Sequence, residues 1–396
     1  MRIFKDRRFV AALASLVIIA AVFALLQRLL MPKYSFRNLP EGALVAEYYD
    51  EKNPHDVLFV GDCEVYENYS PVILWDEYGV SSYIRGSAQQ LVWQSCYLLE
   101  EMLEKETPAA VVFNIQAMQY GEPQDEAYNR LTLDGMKMSA QKRDAINASM
   151  MDDEQAITYY LPLLRYHSRW SELSADDVRY CFKPAEKVSH AGFLMRADTR
   201  PAGMQPTVRE KTSYEFGSEA WKYLDKMTEL CREKNVELIL VKAPALRPYW
   251  YPEWDAQIVE YAKEHSLTYI NFIDLFGLDT SGNEVAYNDP TGATYLLRGV
   301  ETTLDEPIAD ELMLDFSEDT YDGGQHMNIS GAEKLTRVFG NILTKTVELP
   351  DHSADEALRA DWTEKSQRYY EMLSEQRREL EQYGWLKSFG ASAPEE

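Results

Sequence analysis

The chain has 396 residues, 45% of them hydrophobic and 27% charged, with a formal net charge of −25. That length allows one large or two medium domains with a real core, and the acidic balance excludes general attraction to nucleic acid or to an anionic membrane surface. Six of the 40 basic residues and one of the 65 acidic ones lie at or before Lys33, so the remainder carries −30 and an anionic substrate would need a local basic pocket.

Arg2, Lys5, Arg7 and Arg8 precede Phe9 to Leu26, 18 residues without a charge, which Leu29, Leu30 and Met31 extend beyond Gln27 and Arg28. A run of that length suits a membrane helix. The basic flank places the N-terminus inside and the rest outside. No small-residue cleavage site follows, so an uncleaved signal anchor is expected. Residues 1–33 are then a cytoplasmic tip and transmembrane anchor that meets the bilayer through 9–31. The expected localisation is a single-pass cell-membrane protein with its main domain extracytoplasmic. Residues 34–55 read as a polar stalk.

Val57 to Val60 reads as a buried strand, 66–78 as mostly helix or loop, and Ser81 to Ile84 as a short strand. Ala88 to Lys105 has helical periodicity, and Ala109 to Phe113 is a second buried strand. Strand, helix, strand in that order argues for a parallel sheet covered by helices. Residues 122–215 break the alternation, with two expected helices (about 126–150 and 153–174) and a loop rich in proline and charge (about 183–212), read as a helical insertion or cap. Alternation resumes with helix 219–234, strand 236–241, helix 254–265 and strand 268–272. Residues 277–316 read as an irregular insertion broken by Gly282, Pro290, Gly292 and Pro307. A helix follows over 331–347. Residues 354–385 form a long polar helix, packed on the surface or extended as a partner-binding arm. The main domain therefore spans 56–350, with a polar helix and tail over 351–396.

Two stretches carry chemistry. Gly61-Asp62-Cys63-Glu64 follows the first strand as a tight turn. Asp322-Gly-Gly-Gln-His326-Met-Asn328, followed by Ser330-Gly331, lies far downstream. A strand-turn-helix elbow lifts a nucleophile above the sheet edge, and a helix N-terminus lowers a thiol pKa. Cys63 is a candidate thiolate nucleophile. The competing reading is a buried apolar cysteine, or half of a disulfide with Cys96. His326 is the candidate general base, with Asp322 fixing its tautomer; otherwise it is a loop histidine bonded to backbone. Oxyanion donors are sought in the Cys63 amide, in Gly86 and in the Asn114 side chain. Glu64, Arg85, His167, Trp250 and Asn328 are candidate substrate contacts. His167 and its neighbour Trp170 read equally as helix packing. Tyr249, Trp250, Tyr251 and Trp254 offer sugar stacking or a hydrophobic cap. Cys63, Cys96, Cys181 and Cys231 contain no CxxC pair, so neither a metal site nor a cofactor is expected. Sequons occur at Asn68, Asn147 and Asn328. Asn68 and Asn328 flank the two motifs, which argues against a glycosylating pathway.

These residues resemble the SGNH/GDSL hydrolase superfamily. The first block matches at Gly61-Asp62-Cys63 with Cys in place of the family Ser, the second at Gly86, the third at Asn114, and the last at His326 with Asn328 and Gly331. The resemblance covers about 56–120 and 217–345. It implies an α/β, flavodoxin-like parallel sheet with helices on both faces. The anchored arrangement is similar to members that move acyl groups onto envelope polymers. The family Asp sits three residues before the His, where this chain has Gly323; Asp322 reaches only if the loop bulges.

Two functions follow as expectations. One is a membrane-tethered, extracytoplasmic esterase or O-acyltransferase acting on acyl groups of a cell-envelope glycan or glycopolymer, with a membrane acyl-transfer partner. The other is a catalytically inactive envelope protein that keeps the fold to bind polysaccharide or a partner enzyme.

Overall fold

The computed structural model describes residues 7–33, 42–182, 187–204, 208–281 and 285–389. The expectations for residues 1–6, 34–41, 183–186, 205–207, 282–284 and 390–396 lie outside the described residues. The apolar N-terminal run is a helix, Arg7–Leu30, long and apolar enough to span a membrane, and its apolar window is not buried by the rest of the chain.

Among the described residues nine strands follow: β1 (Val57–Gly61), β2 (Ser82–Gly86), β3 (Ala110–Asn114), β4 (Glu237–Lys242), β5 (Thr268–Asn271), β6 (Leu278–Asp279), β7 (Ala286–Tyr287), β8 (Thr294–Leu297) and β9 (Val300–Thr303). Seven form one sheet in the order β2-β1-β3-β4-β5-β8-β9, and β6 pairs with β7. β1 to β5 are parallel. Their order, 2-1-3-4-5, is that of flavodoxin-like sheets. Every residue of β1 and β3 is buried, which explains why they read as unbroken apolar runs: a central parallel strand is covered on both faces. Helices Val92–Lys105, Ser218–Lys234 and Pro252–His265 cover one face. Helices Pro71–Tyr78, Ile329–Thr346 and Glu356–Tyr383 cover the other, where Phe339 meets Phe59 and Tyr69 edge-on.

Four stretches differ from the expectation. Within 277–316, β8 and β9 form a hairpin that adds two antiparallel strands to the sheet. Its two-residue turn, Arg298-Gly299, has positive φ at both positions, the geometry that matches strand twist. The segment 42–55 is folded rather than a stalk: helix Ala43–Glu47 and the turn after it bury Val45 and Tyr48. The described residues of the insertion hold five short α-helices, Glu126–Leu133, Ala140–Ser149, Ile157–Tyr160, Leu163–Tyr166 and Ala175–Phe182, instead of two long ones. Ser139 caps a new helix there, and Pro162 immediately precedes Leu163–Tyr166. Residues 187–204 close the edge of the sheet: Ile84 N donates to Ala191 O at 2.9 Å, and a β-carbon at Gly192 would come 1.9 Å from Ile84 O.

The polar C-terminal helix packs along the domain. Trp362 is fully buried, stacks on Trp75 (5.3 Å, 11°) and donates Nε1 to Ser81 Oγ at 3.2 Å. Trp362→Ala should cost about 3–5 kcal/mol of unfolding free energy. Equilibrium denaturation in urea measures it, and an unchanged midpoint would show that the helix is not integral to the core.

Candidate functional site

The C-terminal ends of β1, β3 and β4 carry a buried polar junction. Gly61 closes β1 at φ 149°, and a β-carbon there would lie 2.5 Å from Val65 Cγ2, so the turn needs glycine. Asp62 caps the short helix Cys63–Tyr66, its side chain accepting from Glu64 N at 3.2 Å. Glu64 turns inward to Lys242 Nζ at 2.8 Å; the pair is 2% and 0% exposed. Lys242 also donates to Ala243 O at 2.7 Å. Asn114 Nδ2 donates to Asp62 Oδ1 and Glu64 Oε2, both at 3.0 Å, while its Oδ1 accepts from Ala243 N. Burial, and then the Glu64 carboxylate beside it, pushes the Asp62 carboxyl up to about 7.

Cys63 lies between these inward-facing acids, partly exposed, and faces His326 closely enough that each shifts the other's titration. His326 Nε2 is buried without a hydrogen bond of normal geometry. On the other side of the ring, Nδ1 lies 2.6 Å from Asp322 Oδ2 and 3.1 Å from Glu67 Oε2. Asp322 reaches across the extra residue because Gly323 and Gly324 adopt positive φ (86° and 102°), and its Oδ1 accepts from the amides of Gln325 and His326. Tyr321 stacks on the imidazole and donates its hydroxyl to Glu67 at 2.7 Å. Asn68 Oδ1 accepts from Met327 N at 2.9 Å, which clasps the two motifs together.

The charges around the pair favour one protonation state. Burial opposes the imidazolium, but Glu67, the Cys63 sulfur and Asp322 outweigh it and raise the His326 pKa well above its ordinary value. Asp322, despite burial, is held below the usual carboxylate range by its bonds with His326. Glu67 is raised by complete burial, against the pull of His326 and Tyr321. Burial pushes the Cys63 thiol up to about 11; His326 lowers it while Asp62 and Glu67 raise it. This reverses the expectation of an acidified thiol. A helix terminus is worth about 0.3–1 kcal/mol. Two unit charges 4 Å apart at an effective dielectric of 20 interact by about 4 kcal/mol. Nearby carboxylates and desolvation therefore outweigh one short helix.

Several other candidates are placed elsewhere. Glu64 is consumed by Lys242, and both amide hydrogens of Asn114 by carboxylates, so Asn114 has no donor left for an oxyanion. Arg85 is buried with Glu101 at 2.7 Å and the Val45 carbonyl. Asn328 caps helix Ile329–Thr346 by accepting from Gly331 N. Trp250 is 5% exposed in an aromatic cluster with Phe216 and Trp254, and donates to Asp255. His167 is exposed on the insertion, bonded to Leu164 O. Gly86 pairs with Gly61, and a β-carbon there would meet Gly61 O at 3.0 Å, so it lies against the elbow backbone. All four cysteines are free, so no disulfide joins Cys63 to Cys96. Glu67 escaped the sequence reading, and Asn68 stood out there only as a sequon. Glu67 is four residues after Cys63, one helical turn on, and that spacing was the available signal. Among the described residues no group of three or more His, Cys, Asp or Glu side chains is placed to hold a metal ion.

No family model matches the chain, and no curated protein matches it. Among solved structures it is similar to a crystal structure of a "putative acylhydrolase" from Bacteroides fragilis NCTC 9343, with 12% identity and a TM-score of 0.34, over 76% of this chain and 94% of that one.

The buried ion pair makes a testable claim on stability. Lys242→Met leaves Glu64 as an unpaired buried carboxylate and should cost about 3–5 kcal/mol. The double variant Glu64→Gln/Lys242→Met should recover much of that loss in urea denaturation. Equal losses in both would show that the two charges do not interact.

Proposed function

We propose that the chain is a membrane-tethered, extracytoplasmic esterase or O-acyltransferase with a Cys–His–carboxylate site. The observation that carries this reading is the placement of Cys63 before His326, whose opposite ring nitrogen is held by Asp322 and Glu67. Cys63 Sγ attacks the acyl carbon, forming the C–S bond of a thioester. His326 takes the thiol proton and delivers it to the departing alkoxide as the C–O bond breaks. In the second half, His326 deprotonates water or an acceptor hydroxyl, whose oxygen displaces the thiolate. The Cys63 amide, which opens a helix, and the neighbouring Gly86 are the proposed oxyanion donors. The proposed substrate is an acyl group on an envelope glycan or glycopolymer, supplied or received by a membrane partner. The basic flank of the anchor, which orients the domain outward, supports that choice.

A second reading, a fold kept for binding polysaccharide or a partner enzyme, is favoured by the raised Cys63 pKa. Turnover of p-nitrophenyl acetate by the full chain in detergent, under reducing conditions, separates the two. Catalysis predicts loss of at least ~100-fold in both Cys63→Ala and His326→Ala. Activity unchanged in either variant would sink the mechanism.

The charge arrangement also predicts a pH profile. With His326 raised and Cys63 raised, the resting pair is imidazolium and thiol, which holds one proton more than the reactive pair. The kcat/KM should therefore rise with pH through a midpoint above the ordinary histidine value. Glu67→Gln removes a negative charge that stabilises the imidazolium, so it should move that midpoint to lower pH. A midpoint unmoved or raised in Glu67→Gln would contradict the assignment.

A further inference from the structure

The middle of the insertion grips the membrane helix. Arg169 Nη1 donates to Leu30 O at 2.6 Å, at the C-terminal end of that helix. Asp177 Oδ1 lies 3.4 Å from Lys33 Nζ and 3.3 Å from Arg169 Nη2. The Arg28 guanidinium and the Lys33 ammonium sit over the Tyr180 ring at 4.5 and 4.9 Å. These contacts hold residues 163–182 at the level where the apolar helix ends.

On the same segment several large apolar side chains are left in solvent. Trp170 is 72% exposed and Phe182 76%; Leu164, Val178 and, just before them, Ile157 are each 47% exposed. Val178 and Phe182 are four residues apart on helix Ala175–Phe182, so they share a face, while Asp177 is buried on another. A tryptophan, a tyrosine under cations and exposed aliphatic side chains beside the end of a spanning helix are the composition of the membrane–water interface. The charges are already matched: Arg165 pairs with Glu126, Arg169 with Asp177 and Arg179 with Asp176. Attraction to anionic lipid therefore contributes little, and apolar burial is the driving term.

We propose that residues 157–182 form an interfacial membrane foot. Trp170, Val178 and Phe182 enter the headgroup–acyl boundary beside the anchor, on the side of the membrane that holds the domain. This rests on the reading of 9–31 as a spanning helix.

The test uses the full chain in phosphatidylcholine vesicles, with and without dibrominated acyl chains. Flotation and resistance to alkaline carbonate extraction come first; a chain that is extracted would overturn the anchor and the foot with it. For a chain that stays, wild type is compared with Trp170→Phe, which keeps an aromatic ring. The bromolipid-quenched part of the fluorescence should fall in Trp170→Phe, and aqueous iodide should not quench the Trp170 component. Adding phosphatidylserine should leave both readings unchanged. Equal bromolipid quenching in the two proteins, with iodide reaching Trp170, would overturn the foot while leaving the anchor standing. Quenching that appears only with phosphatidylserine would overturn the apolar basis of the proposal.

Discussion

The ammonium of Lys242 is buried at the end of β4, and the surroundings of the elbow are arranged to accommodate it. Glu64 supplies the opposing charge, Asn114 holds Glu64, and Asp62 shares Asn114. The pair thus joins the ends of β1, β3 and β4 through side chains rather than strand pairing. A buried ion pair of this kind is seldom more stable than packed apolar residues of the same size. Its consequence here is geometric. With Asp62 and Glu64 both turned into the network, Cys63 between them is left facing His326.

The same acids set the resting chemistry. Asp62, Glu67 and Asp322 all lie near one thiol and one imidazole, and negative charge disfavours a thiolate while it favours an imidazolium. In the proposed mechanism, a proton held on His326 keeps the site quiet until it leaves. The two carboxylates at Nδ1 differ in setting. Asp322 is partly exposed and bonded to two backbone amides, which fixes its place. Glu67 is fully buried and raised, so its charge depends on the imidazolium beside it. Glu67 and His326 each shift the other, Glu67 raising the histidine and His326 lowering the carboxyl.

The parallel core was legible because β1, β3 and β4 are covered on both faces and so appear as unbroken apolar runs. The β8–β9 hairpin was hidden because both strands are short and β9 is largely exposed, and its signal reduces to the Arg298-Gly299 turn. Residues 43–50 read as a stalk although Ala43 to Ala46 are apolar, because the run is short and the burial of Val45 and Tyr48 depends on the edge of β2, a long-range partner no local pattern shows. At the site, Cys63, Asp322 and His326 stood out by motif. Glu64, Arg85, Asn114 and Asn328 are also near motifs, yet their polar groups are satisfied internally. Sequence marks polarity near a turn; only the fold shows whether a polar group faces the cleft or completes a buried network.

The insertion connects two ends of the molecule that the sheet alone would leave independent. One part, residues 157–182, contacts the end of helix Arg7–Leu30. Another, residues 196–202, runs along the loop that carries His326: Arg200 N donates to Thr320 O, Gly323 N to Arg200 O, and Ile329 N to Arg196 O. Arg196 also lies over Tyr321, which stacks on His326. The backbone that braces the His326 loop thus belongs to the same insertion that meets helix Arg7–Leu30. In a sheet built as β2-β1-β3-β4-β5, ligands bind at the carboxyl edge of the strands. Here the loop that carries His326 is bonded to a segment of the insertion whose other part contacts the end of helix Arg7–Leu30, so the insertion ties the position of that helix to the presentation of the elbow.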